Sequence, residues 1–452
     1  MRIDISTGQT AAHVLQITTS SLGDHSYVVV VDDEAIAIDI QRDLDRFEAV
    51  LEDVEATLTA VFETHIHNDY VSGGKRLADG RGATYVLPAN TGAPYPHQPL
   101  ADGETIPVGP WHMRAMHTPG HTHNHTSYVL ESEDGPVAVF SGGSMLVGAV
   151  GRSDLLGEDH TERLLADQYR SVHRIAGELP DPSLVAPTHG SGSFCSASNV
   201  ADSTSTIGRE RMQNPALLAP TLEAFAMSQV IGYRNYPTYY RHMAAANLQP
   251  MGAPPSDPLR RIADLDEVEG VTVVDVRPFA KYAAGHVPGS ISIEVSNDTA
   301  VYMGWTLPWA SPVVLVGSQT DVETVRRQLA RIGWDAVIGW VSPETLDDPA
   351  LDLSVTKVAT FRDLDIDPLS VVVDVRDPVE HRDGIIEGAV PVHVAEFVAD
   401  PLRFGGTHVL IHCQSGYRAA VAAGFAEAAG ADVTVIADSI TNYRGDLVAL
   451  RP

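Results

Sequence analysis

Short apolar runs separated by polar turns fill roughly the first 210 residues. VLQITT, SYVVVVD, AIAIDI, ATYVLP, TSYVLES and PVAVFSGG each have the length and β-branched content of a strand. One stretch, TERLLADQYRSVHRIAGEL, instead repeats its apolar positions at helical spacing, opening at Thr161 and ending near Pro180. Residues 211 to about 255 predict a helical connector that closes in the linker PMGAPPSDP, where prolines and small residues break any period. Beyond the linker the pattern repeats itself. VTVVDVRPFAKYAAGHVPGSISI recurs as SVVVDVRDPVEHRDGIIEGAVPV, and VVLVGSQTDVETVRRQLARIGW as VLIHCQSGYRAAVAAGFAEAAG. Asp275 answers to Asp374 and Gly317 to Cys413, which predicts two tandem copies of one α/β module over 256–350 and 355–452.

Composition narrows the partners. A formal charge of −29 opposes nucleic acid, whose phosphates would be repelled. No apolar run approaches the roughly 18 residues of a membrane span, and no basic-then-apolar leader opens the sequence, so the expectation is a cytoplasmic protein without a membrane partner. With only Cys195 and Cys413, no disulfide framework exists, and two free thiols are expected.

In the second copy, the apolar run Val409 to His412 leads straight into CQSGYR and then an alanine-rich helix. Cys413 therefore falls at a strand end, where the N–H groups of Gln414, Ser415, Gly416 and Tyr417 and a helix N-terminus stabilise a thiolate or persulfide anion. Arg418 adds a positive charge at the helix entrance. The VVDVR strand, the EH turn and the C-x-x-G-x-R loop resemble the rhodanese family. That resemblance implies a loop cysteine that accepts sulfane sulfur and passes it on, with thiosulfate or a low-molecular-weight thiol persulfide as donor. In the first copy the loop reads GSQTDV: Gly317 stands at the nucleophile position, Asp321 is an anion nearby, and no arginine follows. The expectation there is a catalytically silent module, serving as spacer, dimer surface or docking platform, and a homodimer stays open.

The N-terminal block carries a second constellation. After TAVFET come His65, His67, Asp69 and Tyr70; MHTPGHTHNHTSY brings His117, His121, His123 and His125; APTHGSGSFC brings His189. Histidines at i and i+2 with a nearby carboxylate can share one metal, and repeated clusters at strand ends strengthen that reading. His123 and His125 are expected beside the ligands, and Cys195 as a buried small residue.

This pattern resembles the metallo-β-lactamase fold, in the persulfide dioxygenase and glyoxalase II branch, over about residues 10 to 200. The resemblance implies an αββα sandwich over 1–210, with 211–255 as helical connector. By its motifs, His65, His67 and His121 correspond to a first metal subsite, and Asp69 and His189 to a second. Tyr70 replaces the last histidine of the signature, and Gly143 replaces a carboxylate that bridges two metals or completes an iron triad. A dinuclear zinc hydrolase thereby loses support. The expectation is one Fe(II) on His65, His67 and His121, with Zn(II) as the other metal. Arg152 and Asp154 in the GRSDL run either line the pocket with Tyr70 or pin their loop. The combined expectation is a persulfide dioxygenase-like enzyme tethered to a sulfurtransferase, the linker keeping the shared sulfur at a local concentration on the order of millimolar. A thioester hydrolase of the glyoxalase II type and a metal-free scaffold presenting Cys413 remain the alternatives.

Overall fold

The computed structural model describes residues 1–196, 200–249, 251–362 and 369–449. It divides into two compact units, Met1–Pro254 with Ala330–Gly333, and Pro255–Leu329 with Trp334–Pro452.

The first unit is built on two sheets. Seven strands, from Arg2–Asp4 to Gln98–Leu100, pair in sequence order; six more run Ser205–Thr206, Leu184–Pro187, Gly135–Gly142, Thr126–Ser132, Trp111–His117, Thr105–Val108. Strand Asp24–Val31 explains the layering. Tyr27, Val29 and Val31 join Phe62, Trp111, Tyr128 and Phe140 between the sheets. Val28 and Val30 point the other way, against Phe47, Leu51 and Leu77 of helices Asp45–Asp53 and Gly74–Arg81. Burial on both faces is why SYVVVVD reads as a continuous apolar run rather than an alternating one. The outer face of the second sheet is covered by helix Glu158–Glu178, through Leu165, Val172 and Ile175, by Ile207, and by Ala216 and Phe225 of the connector. The fold is the expected αββα sandwich. The helical period around Thr161 corresponds to that long helix, which starts three residues earlier than its threonine suggested, at Glu158 after Gly157.

The second unit contains both repeats apart from Ala330–Gly333. Their sheets have one topology: Arg261–Ile262, Val337–Val341, Val313–Val316, Thr272–Asp275, Ile291–Ser292 in the first, and Lys357–Ala359, Val433–Ile436, Val409–His412, Val371–Asp374, Val390–Pro391 in the second. All pairings within these two sheets are parallel. The repeat read from the sequence is thus a repeat of structure. In both copies an arginine two residues on grips the strand-end aspartate: Arg277 Nη2 lies 2.6 Å from Asp275, and Arg376 Nη2 lies 2.7 Å from Asp374. No helix among the described residues is long and apolar enough to cross a membrane.

Candidate functional site

Four loops at the C-terminal ends of strands meet in the first unit. Strand Thr57–Phe62 delivers His65, His67 and Asp69; Trp111–His117 delivers His121; Gly135–Gly142 delivers Gly143; Leu184–Pro187 delivers His189. Each of the five predicted ligands is at most 1% exposed. Nε2 of His65, His121 and His189, Nδ1 of His67 and Oδ1 of Asp69 have no hydrogen-bond partner. Buried polar atoms are normally satisfied. Here they converge instead: ligand atoms of His65, His121 and His189 lie within 4.8 Å of one another, as do those of His67, Asp69 and His189. The donor set fits a divalent transition metal.

The grouping differs from the one predicted. His65, His67 and His121 were expected together, but His189 takes the third place beside His65 and His121, and it is shared by both clusters. The reason lies in how His67 is anchored. Its Nε2 faces Glu63 at 3.1 Å and Asp39 at 3.2 Å, with the Tyr70 hydroxyl at 3.0 Å and the Tyr70 ring stacked on it at 4.3 Å. Tyr70 is fully buried and supports His67. His189 is held by a similar device, its Nδ1 2.9 Å from Asp24 and 3.3 Å from Asp69. His121 donates from Nδ1 to the Arg152 carbonyl at 2.7 Å, which leaves Nε2 as the free lone pair.

These contacts set the charges. Burial, reinforced by neighbouring imidazoles, keeps His65 well below its ordinary pKa and brings His121 to about 3, so both are neutral donors. Burial works the same way on His67 and His189, but carboxylates overrule it. Asp39 and Glu63 raise His67 to about 10, and Asp69 and Asp24 raise His189 to about 9. Of the two acids beside His189, Asp24 is pushed up by burial and by Asp69, while Asp69 is pulled down by His189 against its own burial. A cation entering the site would displace protons from His67 and His189.

Gly143 stands where a carboxylate was expected, and the space is taken. A Cβ there would lie 2.4 Å from Cδ2 of His121. Its N–H donates to Nε2 of His125 at 2.9 Å, and His125 Nδ1 meets Thr118 Oγ1 at 3.0 Å. His125 is therefore buried support for the glycine loop, whereas His123 is paired with His160 at 3.1 Å. Of the two readings of GRSDL, the geometry carries the loop pin. Arg152 binds both oxygens of Asp154 at 2.6 and 2.7 Å, donates to the Phe194 and Arg234 carbonyls, and lies over the rings of Tyr233 and Tyr236. Cys195 is buried, its Sγ 4.0 Å from the Tyr240 hydroxyl.

In the second unit, Cys413 follows strand Val409–His412 and is 1% exposed. Gly416 caps helix Tyr417–Ala428 at φ 102°, a left-handed conformation that favours glycine, and donates its N–H to Sγ at 3.1 Å. Gln414 and Ser415 form the exposed crest of the loop. Arg418 is spoken for: both ends of its guanidinium bind the Glu380 carboxylate, one at 2.8 Å. The first module is not a mere spacer, because it packs on this loop. Tyr417 donates to the Glu294 carbonyl at 3.1 Å, and the Tyr302 ring meets Tyr417 edge-on at 5.2 Å.

A sandwich of this kind, with possible ligands gathered from three strand-end loops, defines a metallo-β-lactamase-fold protein with a candidate metal site. Comparison with known proteins agrees. The rhodanese-like domain family matches residues 259–338 and 358–446. A hydroxyacylglutathione hydrolase from Gloeobacter violaceus is 30% identical over 216 residues, 42% of this chain and 84% of that protein. A hydroxyacylglutathione hydrolase-like protein from Mus musculus is 32% identical over 158 residues, 34% of this chain and 53% of that one. The chain spans about half the length of the mouse and human relatives it matches. A crystal structure of a metallo-β-lactamase from Staphylococcus aureus is 26% identical, with a TM-score of 0.68, covering 74% of this chain and 99% of its own. The chain belongs to the glyoxalase II-like family of metallo-β-lactamase-fold proteins and carries two rhodanese-like domains.

No motif marks Asp24, Asp39 or Glu63, isolated carboxylates on or just after separate strands. The EH turn of the motif contains Glu380, but nothing in the pattern tied it to Arg418, 38 residues on.

Proposed function

We propose that the chain handles sulfane sulfur: an iron-dependent persulfide dioxygenase site on His65, His121 and His189, coupled to a sulfurtransferase at Cys413. The observation that carries the reading is the trio of imidazole nitrogens that converge with no carboxylate among them, a glycine standing at 143. Three imidazoles leave a ferrous ion with its full positive charge, which favours an anionic persulfide over a neutral ester. The chemistry that iron would supply is activation of dioxygen for addition to a bound persulfide sulfur. Overall, a thiol persulfide, dioxygen and water become the thiol and sulfite, with two protons released.

The chain's own residues do the rest. The Arg152 carbonyl fixes the His121 tautomer, Asp24 and Asp69 aim His189, and Asp39, Glu63 and Tyr70 aim His67. Burial of every donor keeps bulk water away. At the second site, the Cys413 thiolate attacks the outer sulfur of a persulfide, the S–S bond breaks, and the carrier leaves as thiol while Cys413 keeps a persulfide anion.

A second reading, thioester hydrolysis, draws support from the hydroxyacylglutathione hydrolase relatives and from the two clusters sharing His189, which could seat two ions. The metal-free scaffold is disfavoured, since each unpaired buried group costs about 1–3 kcal/mol. Metal identity and stoichiometry, with persulfide-dependent oxygen uptake, separate these readings. A single iron and oxygen uptake support the dioxygenase; two zincs and thiol release without oxygen support the hydrolase.

A further inference from the structure

A loop that takes sulfur from thiosulfate must hold a dianion, and a dianion in a buried site needs uncompensated positive charge. The only cation in CQSGYR is Arg418, and Glu380 claims both ends of its guanidinium. The hydrogen bonds from Arg418 outweigh burial and hold the Glu380 carboxyl below its ordinary range, so it is ionised at neutral pH. Arg376, the other arginine whose charge acts on Glu380, does not restore a surplus. Arg376 is bound by Asp374, and Asp377 and Asp298 are acids. What remains at Sγ is a Gly416 N–H at 3.1 Å and the start of a 12-residue helix, enough for a single negative charge.

The repeat provides an internal control. In register with Asp374 and Cys413, the position of Arg418 is Val322 in the first module, and the position of Glu380 is Lys281. Where the cysteine is gone, both members of the pair are gone, so Glu380 goes with the sulfur loop and not with the scaffold. The wall around the loop is aromatic: Tyr302 against Tyr417, and Trp305 against His393 at 5.0 Å. Such a wall suits the organic body of a carrier thiol, for which an inorganic dianion has no use.

We propose that Glu380, by holding Arg418 as a neutral pair beside Cys413, makes the loop reject thiosulfate and take its sulfur from an organic thiol persulfide. The inference rests on the reading of Cys413 as a sulfur carrier. Glu380 is a positioning and selectivity residue; it does not touch the transferred sulfur.

The test is the rate at which Cys413 gains a sulfur atom, followed by intact-protein mass spectrometry on the full chain under anaerobic conditions. Thiosulfate and glutathione persulfide serve as alternative donors, with Cys413→Ser as blank. Wild type should load from the persulfide at least about tenfold faster, and Glu380→Gln should shrink that ratio about tenfold by raising the thiosulfate rate, as expected for one freed cation near a dianion. The freed cation should also make the thiosulfate rate of Glu380→Gln fall with added salt, while the wild-type rate stays flat. Equal loading of wild type by both donors overturns the inference without needing a variant. So does an unchanged ratio in a Glu380→Gln protein that melts like wild type. Loading by neither donor overturns the sulfur-carrier reading itself.

Discussion

Gly143→Ala tests whether the glycine is required by the metal centre. The added Cβ would sit 2.4 Å from Cδ2, 2.6 Å from Cγ and 3.0 Å from Nε2 of His121. Carbon atoms in ordinary contact stay about 3.5–4.0 Å apart, so the ring must retreat by ~1 Å. It cannot retreat freely. Its Nδ1 is tied to the Arg152 carbonyl at 2.7 Å, and the Arg152 N–H is tied to the Cys195 carbonyl at 3.0 Å. Overpacking of this kind costs about 1–3 kcal/mol. At about 2–4 °C per kcal/mol for a unit of this size, the melting temperature of metal-free protein should fall by roughly 2–12 °C. A ligand displaced by ~1 Å lies far outside the ~0.2 Å tolerance of a metal bond. Metal affinity should therefore fall at least as far as it does when a supporting hydrogen bond is lost, about 10–100-fold. Calorimetric unfolding and metal titration of purified protein measure both effects. Gly143→Asp should behave the same way rather than creating a bridged second metal. A Gly143→Ala protein with wild-type melting temperature and wild-type metal affinity would refute the reasoning.

Other residues are expected to separate by role. His189→Ala, which removes a donor from both clusters, should abolish metal retention on elemental analysis, whereas Tyr70→Phe should keep the metal and lose about 0.5–1.5 kcal/mol of stability in urea unfolding. Cys413→Ser should eliminate sulfur transfer while leaving the metal content of the first unit unchanged; a drop in metal would contradict it. Asp374→Asn breaks the buried pair with Arg376 and should destabilise the C-terminal unit by about 3–5 kcal/mol at neutral pH. Burial pushes the Asp374 carboxyl up, but His381 and Arg376 hold it net below its ordinary value. Its contribution is therefore complete above the unfolded carboxylate pKa of about 3.9 and is lost as pH falls below it. Wild-type urea midpoints for that unit should decline on acidification in this window, and Asp374→Asn should show a shallower decline.

Much of this architecture was legible because it is local. Val28 and Val30 are buried on one face and Val29 and Val31 on the other, which a run of valines announces; the two copies of VVDVR announce two identical sheets. The ligand types were legible as well, since His65, His67 and Asp69 share one loop and His121 and His189 sit in recognisable turns. Which of them form a set was not legible. That depends on Glu63 and Asp39 turning His67, and on Asp24, 165 residues from His189, turning its ring. The same holds for Arg418. Its charge is visible in CQSGYR, but its neutralisation by Glu380 arises only when the turn after Asp374 folds over the loop.

The central claim is that the His65, His121 and His189 centre oxidises persulfide with iron. Oxygen consumption by iron-loaded Cys413→Ser protein tests it most directly, because the second sulfur site is then silent. Iron at this centre should give oxygen uptake that depends on a thiol persulfide, yields one sulfite per oxygen consumed, and tracks a single iron per chain. No oxygen uptake, together with thioester cleavage that tracks two metals per chain, would contradict it.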